Sequence, residues 1–73
     1  MMWCYGVAYL DKNKKGFTDT EPWVLETVGL NHCISSSIDL LMQGFPKAIP
    51  FEYDKENIES ITWEYVVDHV VTK

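Results

Sequence analysis

The chain contains no arginine, and its six basic residues are all lysines. Arginine is the side chain that forms paired hydrogen bonds with phosphate and with guanine, so its absence weighs against direct recognition of nucleic acid. Eleven acidic residues outnumber the lysines and give a formal net charge of −5. A negative protein is repelled by phosphate groups and by anionic membranes. We therefore expect no direct contact with nucleic acid or membrane, and a partner protein with a basic surface fits better.

Cysteine is scarce as well. The chain has two, Cys4 and Cys33, which are too few for a disulfide framework, and both lie in apolar stretches where a buried free thiol is the commoner outcome. With His32 and His69 they supply four side chains of the kind that bind zinc. Structural zinc sites use close pairs of ligands a few residues apart, and that spacing is absent here. We favour free thiols and expect neither a metal site nor a cofactor.

Long hydrophobic runs are also missing. The most apolar stretch, residues 1–10, is too short to span a bilayer. It lacks the positive region and the small-residue cleavage site of an export signal. A cytoplasmic protein is the expectation.

Apolar and aromatic residues are abundant, at 47% and 14% of the chain. Disordered chains lack this much apolar mass, so the chain should fold. Its 73 residues suffice for one small domain, which we expect to span residues 1–73. A doubly wound nucleotide-binding fold or a barrel enzyme needs far more chain.

Residues 3–10 are rich in aromatic and β-branched residues and predict a strand. Side chains alternate between the two faces of a strand, which here separates an aromatic face from a face of small residues. The aromatic face carries Trp3, Tyr5, Val7 and Tyr9. The small face carries Cys4, Gly6 and Ala8. The sequence does not decide which face a helix covers, and a polar turn over residues 11–16 follows.

Residues 23–28 have two interpretations. Pro22 before them and Gly29 after them are typical of a short helix. Their Val, Thr and Trp content favours a strand. We prefer the strand, because six residues make a poor helix unaided.

The next segment carries the clearest helical pattern. Apolar residues recur with helical spacing at Ile34, Ile38, Leu41 and Phe45. Asn31 is a competent N-cap, and Gly44 followed by Phe45 and Pro46 is typical of a Schellman ending. The pattern predicts a helix from about Asn31 to Gln43.

Residues 48–54 alternate and predict a third strand. Its inward side chains are Ile49, Phe51 and Tyr53. Its outward side chains are Pro50, Glu52 and Asp54. Proline in a strand marks an edge or a bulge.

Residues 61–68 predict a fourth strand from their β-branched and aromatic content. One face of that strand would carry Ile61, Trp63, Tyr65 and Val67. Helical spacing is the alternative pattern, and it is formed by Ile58, Ile61, Tyr65 and His69.

These elements predict an α+β fold in the chain order strand, strand, helix, strand, strand. A single helix, about Asn31 to Gln43, would pack on one face of a small, mostly antiparallel sheet.

No arrangement of residues indicates catalysis. His32 adjoins Cys33 and lies near three serines, but residues on one helix do not form an attack geometry with a substrate cleft. Acid–base chemistry needs carboxylates in a cleft. A flat sheet face on a domain this small offers none, so we expect a protein that is not an enzyme.

The acidic residues concentrate in the last third of the chain, where −4 of the net −5 lies. We expect Glu52, Asp54, Glu64 and Asp68 to share the solvent face of the sheet. One interpretation is a solvated face whose charge keeps the protein soluble. Alternatively, it forms a negative patch that docks on a basic protein and accelerates association.

The ten aromatic side chains exceed what one helix on a four-stranded sheet can cover. We expect several to remain partly exposed, namely Trp3, Tyr5, Tyr9, Trp23 and Trp63. Exposed Trp and Tyr side chains are the usual anchors of protein interfaces. The alternative is that they enlarge a small core or form the self-complementary face of a homodimer.

The favoured function is a small acidic protein-binding domain that docks on and modulates a larger basic partner, with inhibition as the favoured form of modulation. Glu52, Asp54, Glu64 and Asp68 would steer it, and Trp63, Trp3 and Tyr5 would anchor it. No residue motif matches a family. The layout alone is similar to that of small phage-encoded inhibitors that bind a host polymerase, which implies a host-directed inhibitor. The alternatives are a homodimeric structural or accessory subunit with a permanently buried aromatic face and, third, a nucleic-acid mimic.

Overall fold

A computed structural model describes residues 2–10, 21–56 and 60–71. Five elements follow one another: β1 (Trp3–Tyr9), β2 (Trp23–Thr27), α1 (Leu30–Met42), β3 (Ala48–Asp54) and α2 (Trp63–Asp68). The chain is a small α+β fold, as predicted. The turn predicted over residues 11–16 lies outside the described residues.

The three strands form an antiparallel sheet in the order β2-β1-β3. The strand favoured for residues 23–28 is therefore confirmed, as is the strand over residues 48–54. Residues 69–71 pair with the outer edge of β3: the Glu52 N–H donates to the His69 carbonyl, and the Val71 N–H donates to the Pro50 carbonyl. Because the N–H and C=O of one residue point the same way, the missing N–H of Pro50 faces this outer edge and not β1.

The fourth strand predicted over residues 61–68 is wrong, because most of that segment is the helix α2. The Thr62 hydroxyl caps it by accepting a hydrogen bond from the Tyr65 N–H at 3.2 Å. Fully buried Val66 joins Ala8, Phe51 and Tyr53 in one core cluster. Apolar burial on the sheet outweighs the β propensity of this segment.

The prediction of a single helix on a single face is corrected by the same finding. Each face of the sheet has its own helix and its own core cluster. Helix α2 covers the small-residue face of β1, whereas Val7 on the aromatic face packs with Cys33 of α1. Both faces of β1, the aromatic and the small-residue face, are therefore covered by a helix.

Helix α1 lies where the pattern predicts it, one residue earlier at each end. The residues it buries differ from the apolar stripe that revealed it. Cys33 and Ser37 are buried, with Leu40 packed beside them, while Ile38 and Leu41 are about half exposed. The Cys33 thiol donates to the Gly6 carbonyl at 3.2 Å, and neither cysteine forms a disulfide. None of the described helices is long and apolar enough to cross a membrane.

Candidate functional site

The sheet register aligns four of the seven residues predicted to bind a partner. Trp3 lies opposite Asp54, and Tyr5 lies opposite Glu52. Side chains opposite one another in an antiparallel pair lie on the same face, and so do those two residues apart. The four therefore share the face that α1 covers, at the end of the sheet where β1 begins.

Trp3 is 51% exposed at this end of the sheet. Its indole ring stacks on the His69 ring with 6.2 Å between centroids. The His69 ring in turn stacks on Tyr65 at 4.0 Å, and its Nδ1 lies 2.8 Å from the Tyr65 carbonyl. Because a carbonyl only accepts, Nδ1–H donates this hydrogen bond, and the His69 ring is held beneath the indole. Two rings thus fix the orientation of an exposed tryptophan.

Glu52 has a pairing partner on each side of β3. Tyr5 is its partner on β1, and its own backbone N–H donates to the His69 carbonyl at 3.1 Å. The Glu52 side chain is half-buried. Within the described parts of the chain, its carboxylate has no hydrogen bond and no ion pair. We call the surface formed by Trp3, Tyr5, Glu52 and His69 the aromatic corner.

Asp54 does not belong to an exposed acidic face, contrary to the prediction. The residue is 8% exposed. Its Oδ1 accepts hydrogen bonds from the Met2 N–H at 3.1 Å and from the Glu56 N–H at 3.2 Å. This carboxylate ties the start of β1 to the turn after β3. Its role in the structure is to satisfy backbone groups.

The other three predicted residues lie on α2, on the opposite face of the sheet. Trp63 is half-buried, and the Lys47 ammonium lies 4.3 Å from the centroid of its ring. Glu64 and Asp68 are exposed. The prediction that these two acids share a sheet face with Glu52 is wrong, because the segment is helical and covers the other face. Whether any of the seven residues binds a partner stays a prediction.

An ion pair lies on the small-residue face of the sheet, away from the aromatic corner. The Lys55 ammonium lies 3.3 Å from each carboxylate oxygen of Glu26, on the small-residue face. Beside that pair, burial raises the pKa of the Tyr53 phenol, and the Glu26 carboxylate and the Cys4 thiol raise it further. Lys55 is thus engaged away from Glu52, although it is close in sequence.

His69 is the residue of the aromatic corner that the sequence argument missed. The i, i+4 spacing of Tyr65 and His69 on the alternative helical pattern is the signal that could have found it. Trp3 lies 66 positions away in the chain, and no local pattern joins the two. Their contact follows from the pairing of residues 69–71 with β3.

A half-buried carboxylate that shares a sheet face with the exposed Trp3 ring is suited to a cationic group. The carboxylate supplies charge, and the ring faces attract a cation by their quadrupoles. A lysine or arginine side chain of a protein presents such a group at the end of an apolar stem. The corner can therefore accommodate both the charged and the apolar part of a basic side chain.

Comparisons with protein-family models, with curated proteins and with solved structures found no match to this chain.

Proposed function

We propose that this protein is a non-enzymatic protein-binding domain that docks a basic segment of a larger partner at the aromatic corner. The observation that carries the proposal is the half-buried carboxylate of Glu52, which has no hydrogen bond or ion pair within the described residues and shares a sheet face with the exposed ring of Trp3. In this role Trp3 is the anchor, and Glu52 is the charge that the partner must neutralise.

The two exposed carboxylates of α2 have a different part in this proposal. Both lie on α2, which covers the other face, and in this proposal Glu64 and Asp68 do not supply the binding contact. They contribute to the overall negative charge of the protein, which attracts a basic partner over a distance and speeds association. Occupation of the basic surface would keep other acidic ligands away from it, and this is how the domain would inhibit its partner.

The test begins with capture of the partner from a lysate of the native host on the immobilised protein, identification by mass spectrometry, and purification. Binding kinetics are then measured for the wild type, Trp3→Ala, Glu52→Gln and Glu64→Gln. Glu64→Gln is the matched control, because it removes the same charge from a fully accessible position on the other face.

We expect Trp3→Ala and Glu52→Gln each to increase the dissociation rate by about tenfold, in keeping with the ~1 kcal/mol or more that an interface anchor contributes. Glu64→Gln should leave that rate unchanged and slow only association, by an amount that shrinks as salt is added. Equal dissociation rates for wild type, Trp3→Ala and Glu52→Gln would contradict the proposal. So would a captured partner whose binding is insensitive to salt.

A further inference from the structure

The two edges of the sheet differ. The outer edge of β3 is paired with residues 69–71. Strand β2 forms the other edge, and in the described part of the chain its backbone pairs only with β1. An open strand edge presents a row of unpaired N–H and C=O groups, which is a template for pairing with another strand.

The side chains of β2 add an apolar component to this edge. Trp23 and Leu25 both lie on the face that α1 covers, yet they are 48% and 40% exposed. The Trp23 ring lies near the Tyr9 ring, with 6.2 Å between ring centroids. The apolar face of the sheet therefore continues to the edge of β2 without being fully covered.

The strand has one charge, and that charge is already neutralised. Glu26 is the only ionisable residue between Trp23 and Thr27, and it is paired with Lys55. Strand β2 itself carries no lysine, the residue that natural edge strands commonly place along an open edge to resist pairing.

From these observations we propose that β2 pairs with β2 of a second copy of this chain, antiparallel and centred on Leu25. The two sheets then form one continuous six-stranded antiparallel sheet. Around this centre Leu25 lies opposite Leu25 of the second copy, and Trp23 lies opposite Thr27. The pairing is isologous, as two-fold symmetry requires.

The charges of β2 are compatible with this register. Glu26 lies opposite Val24 of the second copy, so the two carboxylates do not face one another across the strands, and each keeps its Lys55. Like charges placed directly opposite would destabilise the pair. On the other face, the exposed parts of Trp23 and Leu25 from both copies come together and are withdrawn from water.

This pairing and the aromatic corner respond to salt in opposite directions. Two copies of net charge −5 repel one another, and salt screens the repulsion, so the dimer should become tighter as salt is added. Binding of a basic partner at the corner should weaken instead. Neither surface shares a residue with the other, so the two proposals fail independently.

The experiment measures the mass of the full chain by sedimentation equilibrium from about 1 to 200 μM, a range that covers weak association through the small interface of a five-residue edge strand. The wild type should approach twice the monomer mass of 8.5 kDa. Leu25→Lys should raise the dimer dissociation constant by at least tenfold, since it places two ammonium groups at the centre of the pairing. Val67→Lys is the matched control: Val67 is an exposed apolar residue on α2, on the other face, and its variant should dimerise like the wild type.

A second variant keeps the test decisive if Leu25→Lys disturbs folding. In Leu25→Cys the two new thiols lie directly opposite one another, within the Cα separation that a disulfide needs. Mild oxidation should give an interchain disulfide as the main product, whereas Glu64→Cys should not. A wild type that stays monomeric at 200 μM overturns the proposal. So does a dimer that tolerates Leu25→Lys but dissociates on Ile38→Lys, because that result places the second copy on the exposed side of α1.

Discussion

Gly6, which has no side chain, lies in the middle of the central strand β1. A Cβ at this position would lie 3.1 Å from the Leu25 carbonyl oxygen, 3.1 Å from Cε1 of Tyr53 and 3.2 Å from Cγ1 of Val24. The small face of β1 therefore admits side chains from both neighbouring strands. Gly6 also accepts the Cys33 thiol hydrogen bond through its carbonyl.

We predict that Gly6→Ala lowers the free energy of unfolding by ~1–3 kcal/mol, the usual cost of overpacking a core. The contact with the Leu25 carbonyl is with backbone of the adjacent strand, so a rotamer change cannot relieve it. Urea denaturation measures the loss as a lower midpoint at constant slope. A change smaller than ~0.5 kcal/mol, typical of an exposed position, would show that the strands move apart without cost.

A second prediction at the scale of one residue concerns Tyr53 and the pH dependence of stability. Its pKa is raised in the folded protein, first by burial and then by Glu26 and Cys4. The phenol of the unfolded chain titrates near pH 10. Its contribution to stability is fully present below that pH and is lost as pH rises toward the higher pKa of the folded state, because the unfolded chain gives up the proton more easily.

We expect Tyr53→Phe to reduce the loss of stability between about pH 9 and pH 11, since phenylalanine has no proton to release. The measurement is urea denaturation of both proteins across this range. At neutral pH the two should be of similar stability, because the Tyr53 hydroxyl makes no hydrogen bond within the described residues, so its removal leaves no partner unsatisfied. Parallel curves for the two proteins from pH 9 to 11 would show that another group governs the alkaline loss.

At the scale of the element, the two ends of α1 are determined differently. At the C-terminal end, Gly44 has φ of 99°, its N–H donates to the Leu41 carbonyl, and the Phe45 N–H donates to the Leu40 carbonyl. This is the predicted Schellman ending. At the N-terminal end the predicted cap, Asn31, is wrong: Gly29 is the cap residue, without a side-chain hydrogen bond, and His32 Nδ1 accepts the Val28 N–H at 3.0 Å.

Gly44→Ala should lower the free energy of unfolding by ~1–2 kcal/mol, the cost of a left-handed conformation for a residue with a Cβ. Space is not the reason, since no atom lies within 4 Å of the position that a Cβ would take. The control is Gln43→Ala, one residue earlier in ordinary helical conformation, which should change stability by less than ~0.5 kcal/mol. Equal effects of the two substitutions in thermal or urea denaturation would mean that the ending does not depend on the left-handed residue.

At the scale of the whole molecule, a single sheet organises two cores and leaves two surfaces incompletely covered. The helices pack on opposite faces, and each core cluster contains a residue of β1. The aromatic corner lies where β1 begins, and the open edge lies along β2. A chain of 73 residues cannot cover both faces and all edges of its sheet, because a small domain buries only about 60% of the surface its unfolded chain exposes.

Local signals explain why most elements could be predicted. The alternation of side chains in β1 and in β3, and the ending of α1 at Gly44, each depend on fewer than fifteen consecutive residues. The burial of particular residues is not local in this sense. Asp54 was expected to face solvent by alternation, yet it is buried, and its carboxylate accepts a hydrogen bond from the N–H of Met2, 52 positions earlier.

The amino-acid sequence by itself determined the α+β class, the three strands and the long helix, because strand alternation, helical spacing and a glycine-specific helix ending act within neighbouring residues. Only the tertiary structure decided that residues 63–68 are helical, that α1 buries Cys33 and Ser37 in place of its most apolar stripe, and that Trp3 stacks on His69. Those outcomes depend on which surfaces meet after the chain has folded back on itself. Burial against the sheet is worth more there than the local preference of any one segment.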